Sequence, residues 1–175
     1  MPDAQTRCYE DYPKWIILLS NSVSIAIYLI GGFLVLQLGS VFLLAYLLFI
    51  VLLEMRLLSR SCANCYYYGR LCAFGKGKIC AMVFKKGDGD NRIREPLTWK
   101  AVLPDFLVFL IPLIIGIALL ILSFDWLILV LVVALAILSS LGNGYIRGSF
   151  ACKYCRQREI GCPAEQLFKK SDQSK

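Results

Sequence analysis

Four long apolar segments dominate the sequence and limit the folds open to it. They cover residues 15–36, 41–58, 102–122 and 127–146. At about 1.5 Å of rise per helical residue, segments of this length can cross the ~30 Å hydrocarbon core of a bilayer. Backbone groups inside lipid must be paired within the protein, and a helix pairs its own. The sequence therefore predicts an all-α integral membrane protein with four transmembrane helices.

The four segments pair into two hairpins. Only residues 37–40 separate the first two segments, and only residues 123–126 separate the last two. A connection this short makes neighbouring helices run antiparallel. We therefore predict transmembrane hairpin 1 over residues 15–58 and transmembrane hairpin 2 over residues 101–147.

The basic residues all lie on one side of this topology. Neither short connection contains Lys or Arg, so all 19 basic residues belong to the other side. Cytoplasmic segments of membrane proteins carry an excess of Lys and Arg. In the cell membrane we therefore expect both termini, the long loop and every cysteine to be cytoplasmic. The extramembrane segments are then an N-terminal arm (1–14), a cysteine-rich loop (59–100) and a cysteine-rich tail (148–175).

A cysteine pattern, C-x2-C-x6-C, occurs once after each predicted hairpin. Its members are Cys62, Cys65 and Cys72 in the first motif, and Cys152, Cys155 and Cys162 in the second. Both motifs continue to a Phe-Lys-Lys step, at residues 84–86 and 168–170. The shared order of hairpin, cysteines and basic step predicts a parallel internal repeat, with its axis along the membrane normal.

The cysteine spacing is typical of metal ligands. A C-x2-C turn lets two sulfurs reach one ion at ~2.3 Å, and four thiolates suit zinc or an iron–sulfur cluster. Cys80 is the fourth candidate in the first motif, whereas the second motif has no cysteine after Cys162. Cys8 lies on the same side and is the remaining candidate. The predicted ligand sets are Cys62, Cys65, Cys72 and Cys80, and Cys152, Cys155, Cys162 and Cys8.

Three functions agree with these ligands. Short extramembrane segments cannot build a large core, so structural zinc at two pseudo-symmetric sites would supply folding energy and organise a docking surface. The alternatives are electron transfer through iron–sulfur clusters, and a thiol oxidoreductase or metal carrier with an open three-cysteine site.

Cytoplasmic thiols stay reduced, so disulfides are not expected. The absence of histidine excludes His-based catalysis, and no other catalytic constellation is visible. Loss of one ligand per motif is expected to remove one ion or cluster, independently at each motif.

The net charge of +7 predicts a partner of opposite sign. Basic residues beside a membrane contact anionic headgroups, each worth about 1 kcal/mol. We therefore expect an anionic lipid leaflet as a partner, with a further protein or a second copy of the chain, and we do not expect nucleic acid. Residues 66–68, three consecutive tyrosines, are predicted to be an interfacial aromatic anchor. Lys76 is expected to offset thiolate charge.

Overall fold

A computed structural model describes residues 8–87 and 99–162 of the chain. All regular structure within these two ranges is helical, and the sole β-type pairing there is an isolated bridge between Tyr9 and Cys155. The predicted all-helical class is confirmed to this extent. The Phe-Lys-Lys step at 168–170, the arm before residue 8 and the tail after residue 162 lie outside the described residues.

Seven α-helices and three π-helical turns occur within these ranges. The α-helices are α1 (Lys14–Leu36), α2 (Ser40–Leu57), α3 (Lys76–Val83), α4 (Trp99–Leu122), α5 (Trp126–Ile137), α6 (Asn143–Ile146) and α7 (Arg156–Gly161). The π-helical turns are Leu58–Cys62, Leu138–Gly142 and Arg147–Cys152. Four helical stretches are long and apolar enough to cross a membrane: Lys14–Leu36, Ser40–Cys62, Val102–Leu122 and Trp126–Cys152. Their number and positions match the four predicted segments.

Helix α1 is the central element, since it packs against α2, α4 and α5. Small residues permit this close packing. A Cβ atom on Gly31 would lie 3.1 Å from Pro112 Cγ, and one on Gly116 would collide with Val132. Between α2 and α4, the Tyr46 hydroxyl donates a hydrogen bond to the Val108 carbonyl at 2.7 Å. The four helices therefore form one packed bundle around α1.

The second and fourth apolar stretches continue beyond their predicted ends. The sequence predicts ends at Leu58 and Ile146, but π-helical turns carry the helices on to Cys62 and Cys152. In the first turn, the Ala63 amide donates to the Leu58 carbonyl at 3.0 Å. Loss of hydropathy marks where polar residues begin, not where the helix stops. Each cysteine motif therefore starts on the last turn of a long helix.

Candidate functional site

The two C-x2-C motifs share the same backbone turn. The Cys65 amide donates to the Cys62 carbonyl at 3.2 Å, and the Cys155 amide donates to the Cys152 carbonyl at 3.3 Å. In each motif the second cysteine's carbonyl then accepts from the amide three residues later, at 3.0 and 3.1 Å. Both motifs thus form the tight turn that brings two cysteines of a metal knuckle together.

The two motifs also exchange reciprocal hydrogen bonds. The Arg156 amide donates to the Tyr67 hydroxyl at 3.0 Å, and the Tyr66 amide donates to the Gln157 side-chain oxygen at 2.8 Å. The donor amide belongs to the residue directly after the second cysteine, Tyr66 or Arg156. The acceptor side chain belongs to the residue after that, Tyr67 or Gln157. An exchange in which each partner uses the same two positions is the pattern of a two-fold interface. The motifs are therefore parts of one structure.

The N-terminal arm lies between the two motifs and bonds to both. The Tyr9 amide donates to the Tyr154 carbonyl at 3.1 Å, and the Tyr12 amide donates to the Leu71 carbonyl at 2.9 Å. The Tyr12 hydroxyl donates to the Ala151 carbonyl. Residues 8–13, 62–87 and 151–162 together form a single unit, which we name the cysteine head.

A small aromatic core holds the cysteine head together. Its buried members are Tyr12, Ile16, Tyr67, Ala73 and Ala151, against which Cys65, Cys72 and Cys155 pack. Tyr67 is 2% exposed, so the predicted interfacial anchor is wrong for this residue. The two neighbouring tyrosines are also partly buried, Tyr66 against the same core and Tyr68 against Cys80 and its neighbours. Cysteines of both motifs share this core.

The thiols of the first motif divide between two packed clusters. Cys62 packs against the buried Cys80, whereas Cys65 and Cys72 pack against the aromatic core. Cys80 is fully buried beside Cys62, and its thiol donates to the Leu58 carbonyl at 3.3 Å. Burial, with a smaller contribution from Cys65, raises the pKa of the Cys80 thiol above its ordinary value. Two of the four predicted ligands of the first site, Cys62 and Cys80, therefore pack together at the π-helical turn.

The second motif is more open. Cys155 is half-buried and Cys152 is exposed. Burial is the main cause that raises the pKa of Cys155 to about 11; two backbone amides oppose the shift, and the nearby Cys65 and Cys152 thiols add to it. Cys162 directly follows α7 and is partly exposed. Cys65 is thus a neighbour of thiols in both motifs.

Cys8 lies beside the second motif, as the ligand assignment requires. The bridge between Tyr9 and Cys155 brings the arm there, and the Cys8 thiol donates to the Glu159 carboxylate at 3.1 Å. Burial first, and then the Glu159 carboxylate, raise the pKa of the Cys8 thiol. Cys8 therefore has a carboxylate partner on α7 of the second motif.

The sulfur atoms do not surround a common point. Within residues 8–87 and 99–162, no three Cys, Asp or Glu side chains form a group that could hold a metal ion. None of the eight cysteines, all of which lie in those ranges, forms a disulfide. The structure therefore brings the predicted ligands into one head without converging them, and coordination would require thiol side chains to rotate and lose protons.

Lys76 has a different partner from the expected thiolates. Its ammonium group bonds both carboxylate oxygens of Glu54, at 2.5 and 2.8 Å, and Glu54 also accepts from the Tyr28 hydroxyl at 2.7 Å. The lysine charge is thus offset by a carboxylate near the end of α2. Sequence reasoning missed this pair, although an acidic residue at the end of an apolar segment is a signal for a nearby cation.

Two further residues of the site were missed. Gln157 is 6% exposed and joins the motifs, and Tyr12 reaches from the arm to Ala151. A lone glutamine and a lone tyrosine in polar segments give no periodic signal that would identify them. The chain matches no protein-family model, no curated protein and no solved structure.

Proposed function

We propose that this protein is a membrane-anchored metal-binding protein whose cysteine head holds two thiolate sites, with zinc in a structural role. The first site would use Cys62, Cys65, Cys72 and Cys80. The second would use Cys152, Cys155 and Cys162, with Cys8 as its fourth ligand. The observation that carries the proposal is the gathering of all eight cysteines in one small head, with the same turn at each C-x2-C motif.

The structural role follows from the size of the cysteine head. The two buried clusters that pack the cysteine head contain five and three residues, which is small for a unit that must stay folded outside the bilayer. A zinc ion bound by four thiolates crosslinks the chain and contributes folding free energy directly. The raised pKa values of Cys80 and Cys155 mean that metal binding must displace protons from both thiols. Metal affinity should therefore fall as the pH is lowered.

The proposed topology is two tandem hairpins related as a parallel repeat. The basic-free connections at 37–40 and 123–126 support placing both on the side opposite the cysteine head. The matching turns and the reciprocal bonds through Tyr67 and Gln157 support the internal two-fold relation. The cysteine head would then be cytoplasmic, where thiols remain reduced.

Metal analysis of the full chain tests the function. Protein purified without oxygen should contain about two zinc ions and be colourless, since zinc has no redox or d-electron absorption. Cys65→Ser and Cys155→Ser should lower the zinc content, whereas the control Ser59→Ala, on the same π-helical turn as Cys62, should not. A brown protein that bleaches on reduction would identify iron–sulfur clusters instead. Full metal content in the Cys65→Ser, Cys155→Ser double variant would overturn the proposal.

One observation favours a second candidate at the second motif. Because the Cys8 thiol bonds Glu159, the second motif can act with three cysteines and an open position. Such a site suits metal exchange or thiol chemistry. Cys8→Ser separates the two cases: lost zinc indicates a closed four-thiolate site, and unchanged zinc indicates the open one.

A further inference from the structure

Helix α3 has one buried face and one exposed apolar face. Gly77 and Cys80 are buried against the cysteine head. Ile79, Met82 and Val83 are 52%, 78% and 57% exposed. Their i, i+3, i+4 spacing puts the three side chains on a single face of the helix. An apolar face of this kind on a helix of an otherwise polar head needs an apolar surrounding.

Helix α3 runs beside the end of α2 and in the same direction. Lys76 bonds Glu54, and the Cys80 thiol bonds the Leu58 carbonyl. Beyond α3, the Gly87 amide donates to the Ala63 carbonyl at 3.0 Å. The segment 76–87 therefore runs parallel to the segment 54–63. At about 1.5 Å per residue, Lys76 lies at the level of Glu54, roughly 12 Å before the end of the Ser40–Cys62 stretch.

The segment before α3 reaches the same level along α1. The Leu71 carbonyl bonds the amide of Tyr12, just before α1 begins, whereas the Phe74 carbonyl accepts from Asn21, two turns into α1. Gly75 is in the left-handed region, with φ at +68°, and reverses the chain into α3. Residues 71–76 thus descend between α1 and α2, and α3 begins where the charged groups Glu54 and Lys76 mark the edge of the apolar bundle.

Three exposed lysines flank the apolar face. Lys78 lies on α3, and Lys85 and Lys86 follow it. The last apolar turns of α2, at the level where α3 begins, also expose Leu52 and Met55. Apolar side chains bordered by lysine are the pattern of a segment that contacts both the acyl boundary and the headgroups of an anionic leaflet.

We propose that α3 is an interfacial helix of the cysteine head. Ile79, Met82 and Val83 insert among the lipids at the leaflet surface, and Lys78, Lys85 and Lys86 bind the anionic phospholipid headgroups. The proposal does not depend on metal binding. It implies that the lipid holds α3 against α2, and that α3 opens more readily where the leaflet is neutral.

Amide hydrogen exchange of the full chain in nanodiscs tests this proposal. We compare discs of phosphatidylcholine with discs containing about 30% phosphatidylserine, with one chain per disc, and follow peptides that cover residues 76–87. Exchange should be about fivefold slower in the anionic discs for each lysine that contacts the leaflet. The Lys78→Gln, Lys85→Gln, Lys86→Gln triple variant should exchange at the same rate in both discs. Its substitutions are on the surface and leave the core intact.

Met82→Asp should speed exchange in both discs, because it removes an apolar contact with lipid. Ile160→Asp is the matched control, since Ile160 is an exposed apolar residue on α7. This variant should keep the wild-type rates and lipid dependence at residues 76–87. Equal rates for the wild-type protein in the two discs would overturn the proposal. The proposal would also be overturned if the amides of residues 76–87 were protected only in discs with two chains. That result would show that a second copy of the chain covers the apolar face of α3.

Discussion

Tyr67 is the side chain on which the cysteine head depends most. Its hydroxyl donates to the Tyr9 carbonyl at 2.6 Å and accepts from the Arg156 amide, so one phenol joins the arm and both motifs. Burial raises the pKa of Tyr67 to about 12 from its ordinary value of 10.0. The neutral phenol is therefore the form that the folded head requires.

The raised pKa predicts a loss of head stability in alkali. A group whose folded pKa exceeds its unfolded value stabilises the fold fully below the unfolded pKa, and this contribution disappears as the pH rises through the folded pKa. For Tyr67 the window lies between pH 10.0 and about 12. Near-ultraviolet circular dichroism against urea at several pH values measures the effect. At pH 8, Tyr67→Phe should lower the free energy of unfolding by about 1–3 kcal/mol, because it leaves the Tyr9 carbonyl and the Arg156 amide without their partner. Between pH 10.0 and about 12, the variant should also lack the decrease in unfolding free energy that Tyr67 causes. An unchanged slope would contradict the assignment.

The first cysteine loop depends on a close approach of backbone to α3. The Gly69 amide donates to the Gly77 carbonyl at 3.0 Å, and a Cβ on Gly77 would collide with the carbonyls of Tyr67 and Arg70. Glycine at position 77 therefore serves this close packing. The position also lets Cys80 reach the Leu58 carbonyl.

Gly77→Ala tests this contact. The added methyl group must push the Tyr67–Arg70 backbone away, and we expect a loss of about 1–3 kcal/mol in head stability. Gly144→Ala is the matched control, because a Cβ at Gly144, in α6, meets no atom within 4 Å. Alanine there should be neutral or stabilise by up to ~1 kcal/mol, since helical glycine is unfavourable. Thermal unfolding in detergent compares the two variants. Equal melting temperatures would show that Gly77 tolerates a side chain.

Much of the helical architecture could be predicted from the sequence, because apolar runs of membrane length leave few alternatives. The ends of these helices could not, since the polar residues 59–62 are compatible with a helix and its continuation depends on packing by α3. The role of Gln157 in joining the two motifs could not be predicted either. Its partner, the Tyr66 amide, is 91 positions away, and no local pattern encodes such a bond. The repeated cysteine pattern was readable from spacing, but the packing of cysteines of both motifs against one core was not.

At the scale of the whole molecule, the interlocked motifs predict coupling between the two proposed sites. The cysteine spacing alone predicts that each site loses its metal independently. The bonds through Tyr67 and Gln157, however, join the two motifs, so that each motif stabilises the other. A metal ion that orders one motif should therefore raise the affinity of its neighbour. Coupling free energies of this kind are typically 1–3 kcal/mol, or about 5–150-fold in affinity.

Chelator competition measures this coupling. Cys65→Ser should weaken zinc binding at the second motif by about fivefold or more, and Cys155→Ser should weaken the first motif equally, because coupling is reciprocal. Gln157→Leu combined with Tyr67→Phe removes both reciprocal bonds and should make the sites independent. Tyr68→Phe is the control, since its hydroxyl bonds Phe84 within the first loop. Independent sites in the wild-type protein would contradict the coupling and leave metal binding itself in place.

The reciprocal exchange also sets an order for biosynthesis. Arg156 and Gln157 follow the fourth long helix, so these partners of Tyr67 and Tyr66 leave the ribosome last, whereas Tyr9, the other partner of Tyr67, leaves first. Until then the Tyr66 amide lacks its partner, and the first cysteine loop is held by its own contacts and by the arm. The cysteine head can close only after all four long helices have been made. A chain arrested before residue 156 would leave the Tyr66 amide unpaired, which is a feature that cellular quality control can recognise.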